Sequence, residues 1–203
     1  ALPVFERYLR TLDYTNTVIT DLLGRLEADG LLDDTIVVVT ADHGEGFAQH
    51  HRGNVNHVIG HLYQQNVNIP LLIRVPGLPG PVKNPRLGST VDLAPTLFGL
   101  LGFEAPDSWQ GQDLLSPSYR PRPVLIFSRA RRHGSGIVDG NLTWFRFEGT
   151  TEEHLFDIKA DPHEQHDLIH GRRREAEAYR GIVRDWLGYQ DERILDLERD
   201  NRR

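Results

Sequence analysis

Apolar residues in the opening stretch repeat at helical spacing. Tyr14, Val18, Leu22 and Leu26 fall four apart, with Ile19 and Leu23 beside them. One such stripe predicts a helix from about Val4 to Ala28, and Gly30 supplies the residue that ends it. The period then changes. Residues 35–40 carry Ile36-Val37-Val38-Val39, a short β-branched run that predicts a buried central strand. The brief helix-to-strand connection before it is of the α/β kind. A polar stretch rich in His and Asn fills 47–68, a size of loop at a strand's carboxyl end that is functional or disordered. Residues 69–75 predict a second buried strand, with Pro70 at its start, where a missing donor is tolerated.

Beyond a Pro/Gly-rich loop at 76–88, Asp92 is placed as an N-cap and Pro95 fits the first turn. Leu93, Leu97, Leu100 and Leu101 form a buried stripe, and Gly102 stops the helix. Residues 124–127 read as a third strand. The texture then changes: two apolar runs around Asp139-Gly140-Asn141 predict a hairpin, and residues 153–158 a further strand. Ala176, Tyr179, Ile182, Val183 and Trp186 line one face of a closing helix. Trp144 and Trp186 suit core packing of that sheet against the helix. The fold class is α/β, an α/β layer at 1–128 followed by a small antiparallel-sheet-plus-helix subdomain at 129–203.

Composition narrows the classes. With 203 residues, 38% apolar and 26% charged, the chain can bury one sizeable core. A formal charge of −6 argues against a nucleic-acid partner, whose footprint is basic. No apolar run approaches the roughly 20 residues of a membrane span, and no signal-peptide pattern opens the chain. Cysteine is absent, which removes disulfides, thiolate metal sites and a cysteine nucleophile from this segment. Methionine is absent too, and with a helical pattern starting almost at once this predicts a fragment of a longer protein.

Chemistry is expected where Thr40-Ala41-Asp42-His43-Gly44-Glu45 follows the first strand, because open α/β sheets bind ligands beyond their strands' carboxyl ends. Asp42 offers a hard oxygen, His43 an imidazole nitrogen, and Gly44 lets the chain turn away. Two adjacent donors make half of a metal site; a turn aspartate beside a surface histidine is the other reading. Glu45 is either a hydrogen-bond partner to a metal ligand or a solvated carboxylate. His50 and His51 read as solvated or substrate-facing. Arg129, Arg131, Arg132 and His133 read as a charged loop in preference to an anion-steering cluster, and Arg172-Arg173-Arg174 as a solvated helix face.

Several segments in order carry a family resemblance: Gly24-Arg25-Leu26, the run from Gly30 through Asp42-His43-Gly44-Glu45, Leu62-Tyr63-Gln64-Gln65-Asn66-Val67-Asn68-Ile69-Pro70, Val91-Asp92-Leu93-Ala94-Pro95-Thr96-Leu97, and Leu155-Phe156-Asp157-Ile158-Lys159-Ala160-Asp161-Pro162-His163-Glu164. Together they resemble the C-terminal half of sulfatases, in the alkaline-phosphatase-like superfamily that also holds phosphodiesterases and phosphoryl transferases. The resemblance implies part of an alkaline-phosphatase-like three-layer sandwich, with Asp42 and His43 as metal ligands. It implies calcium in the sulfatase branch, and zinc or manganese in the phosphate-handling relatives. It also places a lysine or histidine upstream of the Tyr…Pro segment, in contact with the sulfate. No lysine lies between Glu45 and Pro70, so His57 and His61 are the substrate-binding candidates. His57, about one residue too far from Tyr63, is preferred as the catalytic group; His61 lies too close.

The family's nucleophile sits in a Cys/Ser-x-Pro-Ser/Ala-Arg motif, its first residue oxidised to formylglycine. That motif and the paired metal carboxylates belong to the N-terminal half, and this chain contains neither. Ser116-Pro117-Ser118-Tyr119-Arg120 mimics the motif but puts Leu115 at the nucleophile and the arginine one residue late. Asp33-Asp34 precedes its strand and lies at the wrong end. The leading expectation is a segment of a metal-dependent sulfatase acting on a small-molecule or glycan sulfate ester, inactive without the missing N-terminal half. A phosphodiesterase or phosphoryl transferase of the same superfamily is the alternative, and a stand-alone non-catalytic binding domain is the reading from a different class. Compartment and oligomeric state are not encoded in any recognised motif.

Overall fold

The computed structural model describes residues 3–47, 62–129 and 133–200. They form two compact units: residues 3–47 with 65–83, and residues 62–64 with 84–200. His50, His51, His57, His61, Arg131 and Arg132 lie outside the described residues.

In the first unit, helix α1 (Val4–Ala28) ends as the apolar period predicts. Gly30, at φ +69°, carries the left-handed turn, while Gly30 N–H donates to Glu27 O and Leu31 N–H to Leu26 O, the paired bonds of a Schellman stop. A 3-10 turn at Leu32–Asp34 leads into β1 (Val37–Thr40). A single helical turn, α2 (Gln64–Val67), precedes β2 (Leu71–Arg74). Strand β2 runs antiparallel to β1, pairing Val37 with Arg74 and Thr40 with Leu71. Arg74 Nη1 reaches back to Leu32 O at 2.5 Å and closes the entry to β1.

The expected burial does not hold here. Val37, Val38 and Val39 are only half-buried, and Leu71 and Leu72 are exposed, because the two strands form a sheet by themselves among the described residues. In α1, Tyr14, Val18 and Leu22 are also exposed, while Ile19, Leu23 and Leu26 are half-buried. The periodicity makes the helix but does not find it a buried face.

In the second unit, Ser89 caps a 3-10 turn (Thr90–Asp92) through a capping box with Asp92, and the chain continues into helix α3 (Leu93–Leu100). Asp92 stands at the N-cap position of α3 as expected, but its carboxylate makes no cap bond to that helix and is instead a buried junction. Oδ2 accepts from Ser89 N–H at 2.9 Å, and Oδ1 from Gln112 N–H at 2.7 Å and Arg122 Nη2 at 2.5 Å. The helix buries Pro95 and Thr96; its leucines are half-buried and Leu101 is exposed. Gly102, at φ +78°, ends it as expected.

Strands β3 (Val124–Ser128), β4 (Gly134–Asp139), β5 (Leu142–Phe147) and β6 (Glu153–Asp157) form an antiparallel sheet in sequence order. Ile137, Trp144 and Leu155 lie side by side across it and pack with Ala176, Tyr179 and Val183 of helix α4 (Arg173–Asp200). Trp144 is buried there, with its indole N–H donating to Glu153 Oε1 at 2.7 Å. Trp186 is half-buried against Phe127, and Ile182 is exposed. Arg173 and Arg174 face solvent. Among the described residues no helix is long and apolar enough to cross a membrane.

Candidate active site

Asp42 and His43 leave the carboxyl end of β1, where the strand's last residue is pinned by Thr40 Oγ1 donating to Pro70 O at 2.8 Å. The turn after them is tight. Gly44 N–H donates to Asn66 O at 2.8 Å, and a Cβ at Gly44 would lie 2.0 Å from Gln65 O. Close backbone approach is thus the reason only glycine fits. Phe47 packs its ring against Phe5 and Tyr8 of α1, at 5.1 and 4.8 Å between centroids, which fixes the far side of the turn.

Asp42 is almost wholly solvent-exposed and His43 about half so. Asp42 Oδ1 accepts from His43 N–H at 2.9 Å. His43 Nδ1 lies 2.8 Å from Gly44 O; a carbonyl can only accept, so Nδ1 carries a proton there. A backbone carbonyl that fixes the tautomer is the usual support of a metal-binding imidazole. Asp42 Oδ2 and His43 Nε2 stand 3.7 Å apart, a gap that two bonds of roughly 2.0–2.5 Å to one cation can bridge. The donor set fits one side of a divalent cation's shell. Among the described residues no group of three or more His, Cys, Asp or Glu converges on such a point. Glu45 Oε1 accepts from Gly46 N–H at 3.2 Å and shapes the same turn.

The look-alike motifs resolve locally. Ser116 and Ser118 hydroxyls bond each other at 2.8 Å, and Asp33 lies 3.9 Å from Arg74 at the entry to β1. Arg129 and His133 are exposed, with His133 3.8 Å from Glu148.

One cluster was not singled out from sequence. On the sheet face away from α4, Leu62 and Tyr63 are buried, and Tyr63 stacks edge-on to Phe145 at 4.9 Å, near Phe156 and His154. His154 bonds Asp167 through Nδ1 at 2.8 Å and Glu152 through Nε2 at 3.2 Å. Burial pulls His154 toward neutrality, but the bonds to Asp167 and Glu152 and their charges outweigh it and raise its pKa. Glu164 is buried at φ +50° and accepts from Gln64 N–H at 2.8 Å. Burial, with Asp161 nearby, pushes its pKa up to about 7 against the opposing pull of Gln64 N–H and His154. The Leu155…Glu164 signature pointed to this loop, but nothing local in it names Gln64 as the partner.

Comparison with known proteins agrees with this architecture. A family model described as Sulfatase matches residues 3–103. An ulvan-active sulfatase from Formosa agariphila is 36% identical over 72% of this chain and 31% of its own length. Lipoteichoic acid synthase 1 of Bacillus subtilis is 31% identical over 56% of this chain and 18% of its own. The structure of BT4656 in complex with its substrate D-glucosamine-2-N,6-O-disulfate matches with a TM-score of 0.66 at 25% identity, covering 93% of this chain and 40% of that one. The chain spans about a third of the length of the curated relatives it matches. It belongs to the sulfatase family, whose fold is alkaline-phosphatase-like.

Proposed function

We propose that this chain is the portion of a sulfatase that contributes Asp42 and His43 to a divalent-cation site, calcium being the favoured ion, and that it works only with the rest of the protein. The observation that carries the reading is the pairing of Asp42 Oδ2 and His43 Nε2 at a strand's carboxyl end. A cation bound there would supply positive charge to the sulfate oxygens as negative charge builds on them. Asp42 contributes an anionic oxygen. His43, held by Gly44 O, contributes a neutral nitrogen. The formylglycine nucleophile and further carboxylates are assigned to sequence outside this chain, so residues 1–203 alone are expected to turn over no ester.

His57 is assigned to bind a sulfate oxygen or to protonate the leaving alcohol, with His61 as a second substrate contact. The substrate class is a sulfated glycan, supported by the sulfatase named for ulvan and by the disulfated glucosamine bound in the matched structure. The match to lipoteichoic acid synthase 1 favours a second reading, phosphoryl transfer with zinc or manganese. Asp42→Ala in the protein as its gene encodes it should abolish sulfate-ester turnover and lower the bound calcium. Unchanged turnover in that variant would overturn the site assignment, and a preference for phosphodiesters in the unaltered protein would select the second reading.

A further inference from the structure

Helix α2 is a single turn, too short to hold its own shape, so its place depends on what it buries. Of its residues only Asn66 is buried, with 7% of it exposed. The turn behind Asp42 and His43 rests on this residue and on Gln65 before it. Gly44 N–H donates to Asn66 O at 2.8 Å. A Cβ on Gly44 would stand 3.3 Å from Asn66 Cα. A Cβ on Gly46 would stand 3.1 Å from Gln65 Nε2 and 3.6 Å from Asn66 Oδ1. Gly44 thus lies against the main chain of Gln65 and Asn66, and Gly46 against their carboxamides. All four residues belong to the first unit.

The Asn66 oxygen is not a hydrogen-bonding clamp. Its Oδ1 is buried without a partner among the described residues, and so is Gln65 Oε1. A buried acceptor left without a donor is destabilising. What Asn66 contributes here is shape: a branched side chain that fills its place beside Gly46 and keeps the single turn from shifting. A smaller side chain would leave a void into which its surroundings relax.

The consequence reaches the imidazole through two successive contacts. Asn66 O accepts from Gly44 N–H, and the carbonyl of the same Gly44 lies 2.8 Å from His43 Nδ1. A shift of Asn66 therefore moves the peptide that orients His43. We infer that Asn66 is a positioning residue for the candidate cation site: its buried side chain aims its own carbonyl at Gly44 and so fixes the turn that presents Asp42 and His43. This rests on the reading of that pair as cation ligands. Asn66 is no ligand itself and acts through Gly44.

The test uses the protein as its gene encodes it, with Asn66→Ala and Asn66→Leu. Alanine empties the place beside Gly46. Leucine keeps the branch at Cγ and removes the orphaned oxygen. In Asn66→Ala, amide hydrogen exchange of the peptide containing Gly44 should quicken, and the calcium dissociation constant in calorimetric titration should rise, each by about tenfold, the scale of one lost backbone hydrogen bond. Asn66→Leu should bring both most of the way back to the unaltered values. If alanine prevents folding, Asn66→Ser carries the comparison. A lowered urea midpoint with unchanged exchange and unchanged calcium affinity would make Asn66 merely structural and overturn the inference. Failure of leucine to restore either quantity would overturn it as well, because shape would then not be what Asn66 supplies. An unaltered protein that binds no calcium would instead sink the cation reading, leaving exchange at Gly44 to judge the link from Asn66.

Discussion

Gly44 donates its backbone N–H to the carbonyl oxygen of Asn66 at 2.8 Å, and this bond joins the turn behind Asp42 and His43 to the chain that enters β2. The two strands lie about thirty residues apart in sequence, so the contact, and not local propensity, gives the Asp42-His43 pair its position. A methyl at Gly44 would meet a backbone oxygen, which cannot swing aside as a side chain could. Gly44→Ala should therefore cost about 1–3 kcal/mol of stability and weaken calcium binding by about tenfold or more in calorimetric titration. Gly24 is the control of opposite sign. It lies inside α1, where an added methyl would meet nothing within 4 Å, so Gly24→Ala should raise stability by about 0.5–1 kcal/mol.

Asp92 is the second test of a residue whose role depends on distant partners. It is 1% exposed and gathers Ser89, Gln112 and Arg122 on its two oxygens. Removing the carboxylate leaves the N–H groups of half-buried Ser89 and Gln112 without this acceptor and strips Arg122 of its counter-charge. Arg122 keeps 31% of its side chain in solvent, which puts the loss at the low end for breaking a buried pair, about 3 kcal/mol. Asp92→Ala should lower the urea midpoint accordingly. Arg122→Met should cost less, since Asp92 keeps both backbone donors. Equal losses in the two variants would show that the ion pair, not the backbone junction, carries the energy.

What was legible in the sequence was what short-range spacing controls. Helix α1, its Gly30 stop, strands β1 to β6 and the closing helix follow from apolar period and turn residues, and Asp42-His43 follows from their place behind β1. Burial was less legible, because it depends on neighbours. The stripe of Tyr14, Val18 and Leu22 makes a helix whether or not anything covers it, and β1 has only β2 beside it among the described residues. Asp92 holds the N-cap position it was expected to hold, but the partners of its carboxylate, Gln112 and Arg122, come twenty and thirty residues later. Glu164 and Gln64 are separated by one hundred, and no local pattern announces such a pair. The proton on His43 Nδ1 is equally invisible in sequence, since it is dictated by the direction of Gly44 O.

The small sheet should be more stable at mildly acidic pH than at alkaline pH, for two reasons that share a sign. Glu164 has a folded-state pKa raised from 4.5 to about 7, so its contribution is fully present below about pH 4.5 and is lost as pH rises through 7. His154 is raised above 6.5, so what it gains from Asp167 and Glu152 is fully present below that value and is lost as pH climbs through its folded pKa. Asp167 works in the opposite direction: burial alone would raise it, but the His154 bond and two backbone N–H donors hold it below 3.8. Its contribution is lost only as pH falls through that depressed value. The charged His154–Asp167 pair therefore contributes in full between about pH 4 and 6.5. Chemical denaturation followed by tryptophan fluorescence should give a higher midpoint at pH 5.5 than at pH 8.5. Glu164→Gln removes the carboxyl whose pKa is raised to about 7, and should flatten the decline between pH 5 and 7 by raising stability at the alkaline end. His154→Asn, which still bonds Asp167 but cannot be charged, should flatten what remains above pH 6.5. A decline of unchanged steepness in the double variant would place the pH dependence on other groups.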